Sequence, residues 1–131
     1  GLVPYSPLGR GMLTGMLDGF DSLAENDRCK DHPRFTAENI NNNMGVIQPL
    51  KAIATEKGVS PSQLAIAWLL HQGDDIVPIP GTKRRTHLAE NMEVVDIDLS
   101  ADDVARIGAS VKPDAVSGTR YPEKQLGGLG I

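Results

Sequence analysis

Cysteine is nearly absent. Cys29 is the only one in 131 residues, so no internal disulfide can form and nothing points to an oxidising compartment. No apolar run approaches the length of a membrane-spanning helix, and no segment has the layout of a signal peptide. Surplus positive charge is lacking too: 13 Lys and Arg stand against 17 Asp and Glu, a formal net charge of −4. Nucleic acid and anionic membranes both select for excess cations, so neither is expected as the main partner. Internal repeats and low-complexity segments are also missing. What is there is 40% hydrophobic and 23% charged, ordinary for a globular chain of about one domain. A cytoplasmic location is expected.

The order of elements suggests an α/β chain. "GLVPYS", residues 1–6, is a short apolar run that Pro7 ends, and it reads as a buried strand. Residues 7–35 form a long irregular stretch rich in Gly and Asp, of the length seen in functional lids or disordered segments. Residues 36–57 read as helix, with a break expected near Pro49 and a stop at Gly58. "SPSQLAIAWLLHQG" is the clearest helix: Ser60 caps it, Pro61 takes the first position and Gln63 completes a capping box. Its residues 64–70 are apolar on every face, which predicts burial all round. Residues 76–79 read as a second buried strand. A helix over about 84–93 follows, with Leu88, Met92 and Val95 expected to pack inward. Ser100 caps a last helix over 101–111, with Asp103 at its third position. The tail, 112–131, carries several glycines, offers no readable chemistry and is expected to be loose.

Two buried strands alternating with helices mean a parallel sheet. Two strands alone would leave backbone groups unpaired on their outer sides. The chain is therefore expected to be a piece of a larger domain.

"IPGTKRRTHLAEN", residues 79–91, concentrates the chemistry. Gly81 allows a tight turn and close backbone approach to a ligand, and Thr82 can cap the coming helix. The free N–H groups and partial positive charge of a helix start suit a phosphate. Lys83, Arg84 and Arg85 stand at that same end, where the helix dipole disfavours cations; an anionic ligand would explain them. His87, Glu90 and Asn91 share one helix face. They offer a planar ring, an acceptor and an amide, a set that could hold an adenine. A solvated cationic surface is the competing reading of the same residues. The position at the end of a buried strand is what raises the adenine-nucleotide reading beside it.

"VPYSPLGRG", "SPSQLAIAWLLHQG" and "VPIPGTKRRTHLAEN" together resemble the C-terminal portion of aldo-keto reductases, above all bacterial and plant members of the perakine-reductase type. The likeness runs from residue 1 to about residue 111. It implies a TIM (β/α)8 barrel of which this chain would be the C-terminal part, strands 7 (residues 1–6) and 8 (residues 76–79) with their helices. The rest of the barrel would be an upstream part of the same protein. Active sites of such barrels lie at the C-terminal ends of the strands, often with a phosphate site after strands 7 and 8.

The resemblance also implies roles for residues. Tyr5 would stack on the nicotinamide of NADPH or NADP. Ser6, Pro7, Leu8, Gly9 and Arg10 would run over the pyrophosphate. Residues 7–35 would fold over the cofactor, with Arg34 a further candidate for reaching it. Gly81, Thr82 and Lys83 would hold the adenosine 2′-phosphate, and Glu90 and Asn91 would read the adenine. His87 stands where many relatives carry Arg. The cations favour NADPH over NADH, because only the former carries a 2′-phosphate.

Reduction of an aldehyde or ketone also needs a proton donor. The resemblance assigns that donor and its tuning residues to strands upstream, so no catalytic residue and no metal site is expected here. Neither Tyr5 nor Tyr121 is drafted for the task, and His32 and His71 lack partners for it. Two other functions compete with a carbonyl reductase. One is a nucleotide-holding regulatory subunit on the same fold, like potassium-channel β-subunits. The other is a different phosphate-binding barrel, which gives no reason for Tyr5 or for the Glu90–Asn91 pair.

Overall fold

The computed structural model describes residues 1–127; the end of the tail, 128–131, lies outside the described residues. Six α-helices occur among them: α1 Ala37–Val46, α2 Gln48–Lys57, α3 Pro61–Leu70, α4 Arg85–Met92, α5 Ala101–Ser110 and α6 Glu123–Leu126. Their limits follow local chemistry. The Thr36 hydroxyl accepts from the Asn39 amide at 3.3 Å to start α1. The chain breaks between α1 and α2 because Pro49, which has no N–H to donate, fits only the first turn of a new helix. Gly58 closes α2 at φ +69°, a left-handed cap that costs Gly little. Reciprocal capping boxes open α3 (Ser60 with Gln63) and α5 (Ser100 with Asp103).

α2, α3 and α5 enclose one core. Leu50, Ile53 and Ala54 meet Leu64, Ile66, Ala67 and Ile107, with Val94 and Leu99 sealing the side. Ala54 and Ala67 are fully buried, and their small side chains let the helices close on each other. Trp68 lies at the rim, its indole N–H donating to the Val104 carbonyl at 3.0 Å. Burial of α3 all round holds for residues 64–67; Trp68, Leu69 and Leu70 are half-buried.

Three expectations need correction. Segments 2–5 and 76–79 do run parallel, joined at Leu2–Ile76 and Tyr5–Ile79, but only as isolated bridges. Leu2 N–H donates to Asp75 O (2.9 Å), Val77 N–H to Leu2 O (2.9 Å) and Ile79 N–H to Pro4 O (3.1 Å). Pro4 cannot return a bond, and Pro78 and Pro80 have no donor for any neighbour on the far side. Nor are these segments buried: Leu2, Val3, Val77 and Ile79 are all more than half exposed. Second, Leu88, Met92 and Val95 face outward, at 53%, 62% and 70% exposure, and Val94 takes the inward place. α4 turns its Glu90 side to the start of α3, where the Gln63 side-chain amide donates to the Glu90 carbonyl at 3.2 Å; Leu88 and Met92 lie away from that contact.

Third, residues 7–35 are organised. They form four short 3-10 turns and a core of their own, in which Met12, Leu23 and Phe35 pack on Ile40, Met44 and Ile47. Cys29 lies at its edge; burial, aided by the carboxylate of Asp27, pushes its thiol up to about 11.

The Ser100 box carries a pH consequence. Lys57 Nζ donates to Asp103 Oδ2, and the Ser100 hydroxyl and amide donate to the same carboxylate. Lys57 first, then Ser100, hold the Asp103 carboxyl down at about 2. An unfolded Asp titrates near ~4. The ionised form is thus favoured in the folded state, and its stabilisation is complete above the unfolded value. It is lost as the pH falls from about 4 to about 2. Urea midpoints measured through that range should drop less steeply for Asp103→Asn than for wild type; parallel curves would exclude Asp103 as a contributor.

Candidate functional site

The two parallel segments end side by side, so the loop after Tyr5 and the turn after Ile79 leave from one edge. Between them is a cavity of about 260 Å³, lined by Ser6, Pro7, Leu8, Arg10, Gly11 and Thr14 on one side and Pro80 and Gly81 on the other. Its walls are unusual backbone. Gly9 and Gly11 take φ +57° and +94°, and so do two residues with side chains: Ser6 at +48° and Arg10 at +56°. Left-handed conformation is unfavourable for such residues and tends to mark functional loops. A Cβ added to Gly11 or Gly81 would meet nothing within 4 Å, so both leave open space beside their backbone. Glycines, a strained loop and an adjacent guanidinium suit an oxyanion group in this space.

Beyond Gly81, Thr82 does not cap α4. Its hydroxyl accepts from the Arg84 amide at 3.2 Å, two residues on, forming a local turn. Arg84 itself is the N-cap and has no side-chain cap bond, which leaves the first-turn amides of α4 without a capping group. Lys83, Arg84 and Arg85 are exposed. One turn later, His87 Nδ1 and Glu90 Oε2 lie 3.3 Å apart. The Ser60 hydroxyl, and then His87, pull the Glu90 carboxyl below its ordinary value, so it stands ready as an acceptor. Asn91 follows it, half-buried. Of the twelve residues singled out in the sequence, Ser6, Pro7, Leu8, Arg10 and Gly81 meet around the cavity. Gly9 shapes the loop but does not line the cavity. Thr82, Lys83, His87, Glu90 and Asn91 continue along the turn and α4, and Tyr5, next to Ser6 in sequence, does not line the cavity.

The tail, expected to be loose, is instead tied down through residues 115–118. Residues 113–121 fold back across the 7–35 loop. The Asn43 carboxamide, almost fully buried, donates to the Ser117 carbonyl (2.9 Å) and the Arg34 carbonyl (3.0 Å) and accepts from the Ser117 amide (2.8 Å). Asn42 donates to the Ala115 carbonyl and the Ser117 hydroxyl. Gly118, at φ +83°, lies against backbone, where a Cβ would sit 2.7 Å from Pro33. Held there, the tail delivers two side chains. The Tyr121 hydroxyl meets that of Tyr5 at 2.7 Å, and the Arg120 guanidinium lies 4.6 Å over the Tyr5 ring. Arg10 sits in turn 4.8 Å over the Tyr121 ring. The shared hydroxyl bond raises Tyr5 and lowers Tyr121, and the nearby guanidiniums lower Tyr121 further. The paired Asn42–Asn43 and the "SGTRY" run were the available signals, but their pairing spans more than 70 residues.

His71 has a structural place: its Nδ1 bonds the Ala67 carbonyl at 2.9 Å and its Nε2 accepts from the Leu99 amide. No group of His, Cys, Asp and Glu among the described residues could hold a metal ion. No helix among them is long and apolar enough to cross a membrane.

Comparison with known proteins adds independent findings. The chain is 43% identical over 121 residues to aldo-keto reductase yakc [NADP(+)] of Schizosaccharomyces pombe, covering 92% of this chain and 36% of that one. It is 40% identical over 121 residues to probable aldo-keto reductase 1 of Glycine max, covering 92% and 35%. The chain thus spans about a third of the length of these curated relatives. Its fold is similar to that of Gox0644 in a crystal structure of the apo form, with a TM-score of 0.53 at 23% identity over 88% of this chain and 30% of that one. The sequence profile described as Aldo/keto reductase family matches residues 1–112. The chain belongs to the aldo/keto reductase family.

Proposed function

We propose that this chain is the C-terminal part of a cytoplasmic, NADPH-dependent carbonyl reductase of the perakine-reductase type, acting on aldehydes or ketones. Segments 1–6 and 76–79 are then barrel strands seven and eight. Upstream elements of the same barrel cover the apolar side chains of Leu2, Val3, Val77 and Ile79 and supply the proton donor. The observation that carries this reading is the cavity shared by the Ser6–Gly11 loop and the Pro80–Gly81 turn. It offers glycine backbone and one guanidinium where a pyrophosphate needs them. The fission-yeast relative is named for NADP(+), and the exposed cations at the start of α4 agree with a 2′-phosphate.

The residues then divide the work. The Tyr5 ring supports the nicotinamide. Ser6, Pro7, Leu8, Gly9, Arg10 and Gly81 flank the pyrophosphate. Thr82 and Lys83 bind the 2′-phosphate through hydroxyl and ammonium, with Arg84 beside them. Glu90 and Asn91 accept from and donate to the adenine edge, and His87 covers its face. NADPH, when bound, supplies the hydride.

The test is cofactor binding to the full-length enzyme. In the Lys83→Ala, Arg84→Ala, Arg85→Ala triple variant, NADPH affinity should fall by about 1.5–3 kcal/mol, the scale of charged hydrogen bonds. That is roughly ten- to a hundred-fold. NADH affinity should change little. Equal losses for the two cofactors would remove the 2′-phosphate assignment.

A further inference from the structure

Four carbonyls of the loop beside the cavity are held by protein donors. Backbone groups hold two of them: Gly9 N–H donates to Ser6 O at 3.0 Å, and Gly11 N–H (3.0 Å) and Leu13 N–H (3.2 Å) donate to Leu8 O. Side chains hold the other two. The Thr14 hydroxyl donates to the Gly11 carbonyl at 2.7 Å. The Cys29 thiol, 3.8 Å from the Arg10 carbonyl, donates to that oxygen. Burial pushes this thiol up to about 11, so it keeps the proton that the bond needs.

The Gly11 carbonyl is the one in most need of a holder. Arg10 and Gly11 are both left-handed, at φ +56° and +94°, and both line the cavity. Glycine takes either sign of φ at little cost. A Cβ at Gly11 would meet nothing within 4 Å, so no neighbouring side chain confines its peptide. A peptide free to turn there can present its oxygen to the cavity. Carbonyl oxygen repels an oxyanion where N–H attracts it. Thr14 opposes that turn. It lines the same cavity, yet its hydroxyl proton is committed to Gly11, and its oxygen accepts from the Met16 N–H at 3.1 Å. The hydroxyl is therefore a strut and not a ligand, with no proton left to donate to a phosphate.

We propose that Thr14 is a positioning residue for the cofactor: by holding the Gly11 carbonyl it keeps the loop's oxygens off the pyrophosphate, and Cys29 does the same at Arg10 to a smaller degree. The proposal rests on the reductase reading above. It separates from the 2′-phosphate seat in one respect: NADPH and NADH share the pyrophosphate, so both depend on Thr14 alike.

The experiment measures binding of NADPH, NADH and adenosine 2′-phosphate, which lacks the pyrophosphate, to the full-length enzyme. Thr14→Val stays close in shape and removes the hydroxyl. It should weaken NADPH and NADH by the same factor, about three- to ten-fold, the scale of one hydrogen bond, and leave adenosine 2′-phosphate bound as in wild type. Thr14→Ser restores the hydroxyl and should bind both dinucleotides within about two-fold of wild type. Cys29→Ala should repeat the Thr14→Val pattern at a smaller factor, and it carries the test should Thr14→Val not fold. Unchanged dinucleotide affinity overturns the proposal. So does a loss in Thr14→Ser equal to that in Thr14→Val, because the hydroxyl would then not be the group that matters. A loss confined to NADPH would move Thr14 to the 2′-phosphate, again against the proposal. An equal loss for adenosine 2′-phosphate would give Thr14 a merely structural part and overturns it too. All these outcomes leave the reductase reading standing, whereas wild type that binds neither dinucleotide would sink both together.

Discussion

Replacing Asn43 by Leu should lower unfolding free energy by about 2–4 kcal/mol and release the tail. Leu keeps the branching of Asn without its hydrogen-bonding atoms, but its two methyls are bulkier than the carboxamide, so the loss combines missing hydrogen bonds with some crowding. Asn43 is 1% exposed and satisfies three backbone groups: Ser117 N–H, Ser117 C=O and Arg34 C=O. Each group left unpaired in a buried place costs about 1–3 kcal/mol. The total stays below the simple sum because the tail can lift and let water reach Ser117. Asn42→Ala is the comparison, since Asn42 makes two bonds to the same tail from an exposed position, where water replaces them for under about 1 kcal/mol. Urea denaturation gives the free energies, and limited proteolysis reports whether residues 113–121 have come away. Equal effects of the two substitutions would mean that burial of the carboxamide does not matter.

Phe35→Ala is expected to cost about 3–5 kcal/mol, the usual range for truncating an enclosed aromatic. Phe35 is 1% exposed and sits where the 7–35 loop closes onto α1, against Ile40 and Met44. It also lies next to Arg34, whose carbonyl Asn43 holds. Loss of the ring therefore loosens the loop, the tail and the cluster around Tyr5 together. Hydrogen exchange should quicken at the Phe35 and Ile40 amides while the Leu64–Ala67 amides keep their protection, because α3 belongs to the other core. Uniform loss of protection would show instead that the two cores unfold as one.

Much of this was legible from local rules. Both capping boxes, the break before Pro49, the left-handed stop at Gly58 and the turn at Gly81 after Ile79 depend on residues within four positions of each other. They were read correctly for that reason. The parallel relation of segments 1–6 and 76–79 was also readable, but not their exposure, which depends on what covers them. The outward face of Leu88, Met92 and Val95 failed for the same cause: helical spacing says which residues share a face and not where that face points. Thr82 was a reasonable cap by type, yet its hydroxyl found the Arg84 amide first. The tail was opaque because Asn43, Ser117, Arg120 and Tyr121 acquire their roles from partners more than 70 residues away. Residue types alone do not encode such distances.

The close approach of Gly118 to Pro33 has a consequence for how this region can vary. Where main chain rests on main chain there is no room for slippage, so Gly118 works as a fixed stop. Upstream, an added residue is tolerated only ahead of Ala115, whose carbonyl Asn42 holds; there a lengthened loop costs little entropy, because the stop re-establishes position afterwards. Downstream there is no such tolerance: one extra residue between Gly118 and Arg120 would carry the guanidinium off Tyr5. Exchange of tails between relatives should therefore be joined at this glycine, with the spacing to Arg120 and Tyr121 kept at two and three residues.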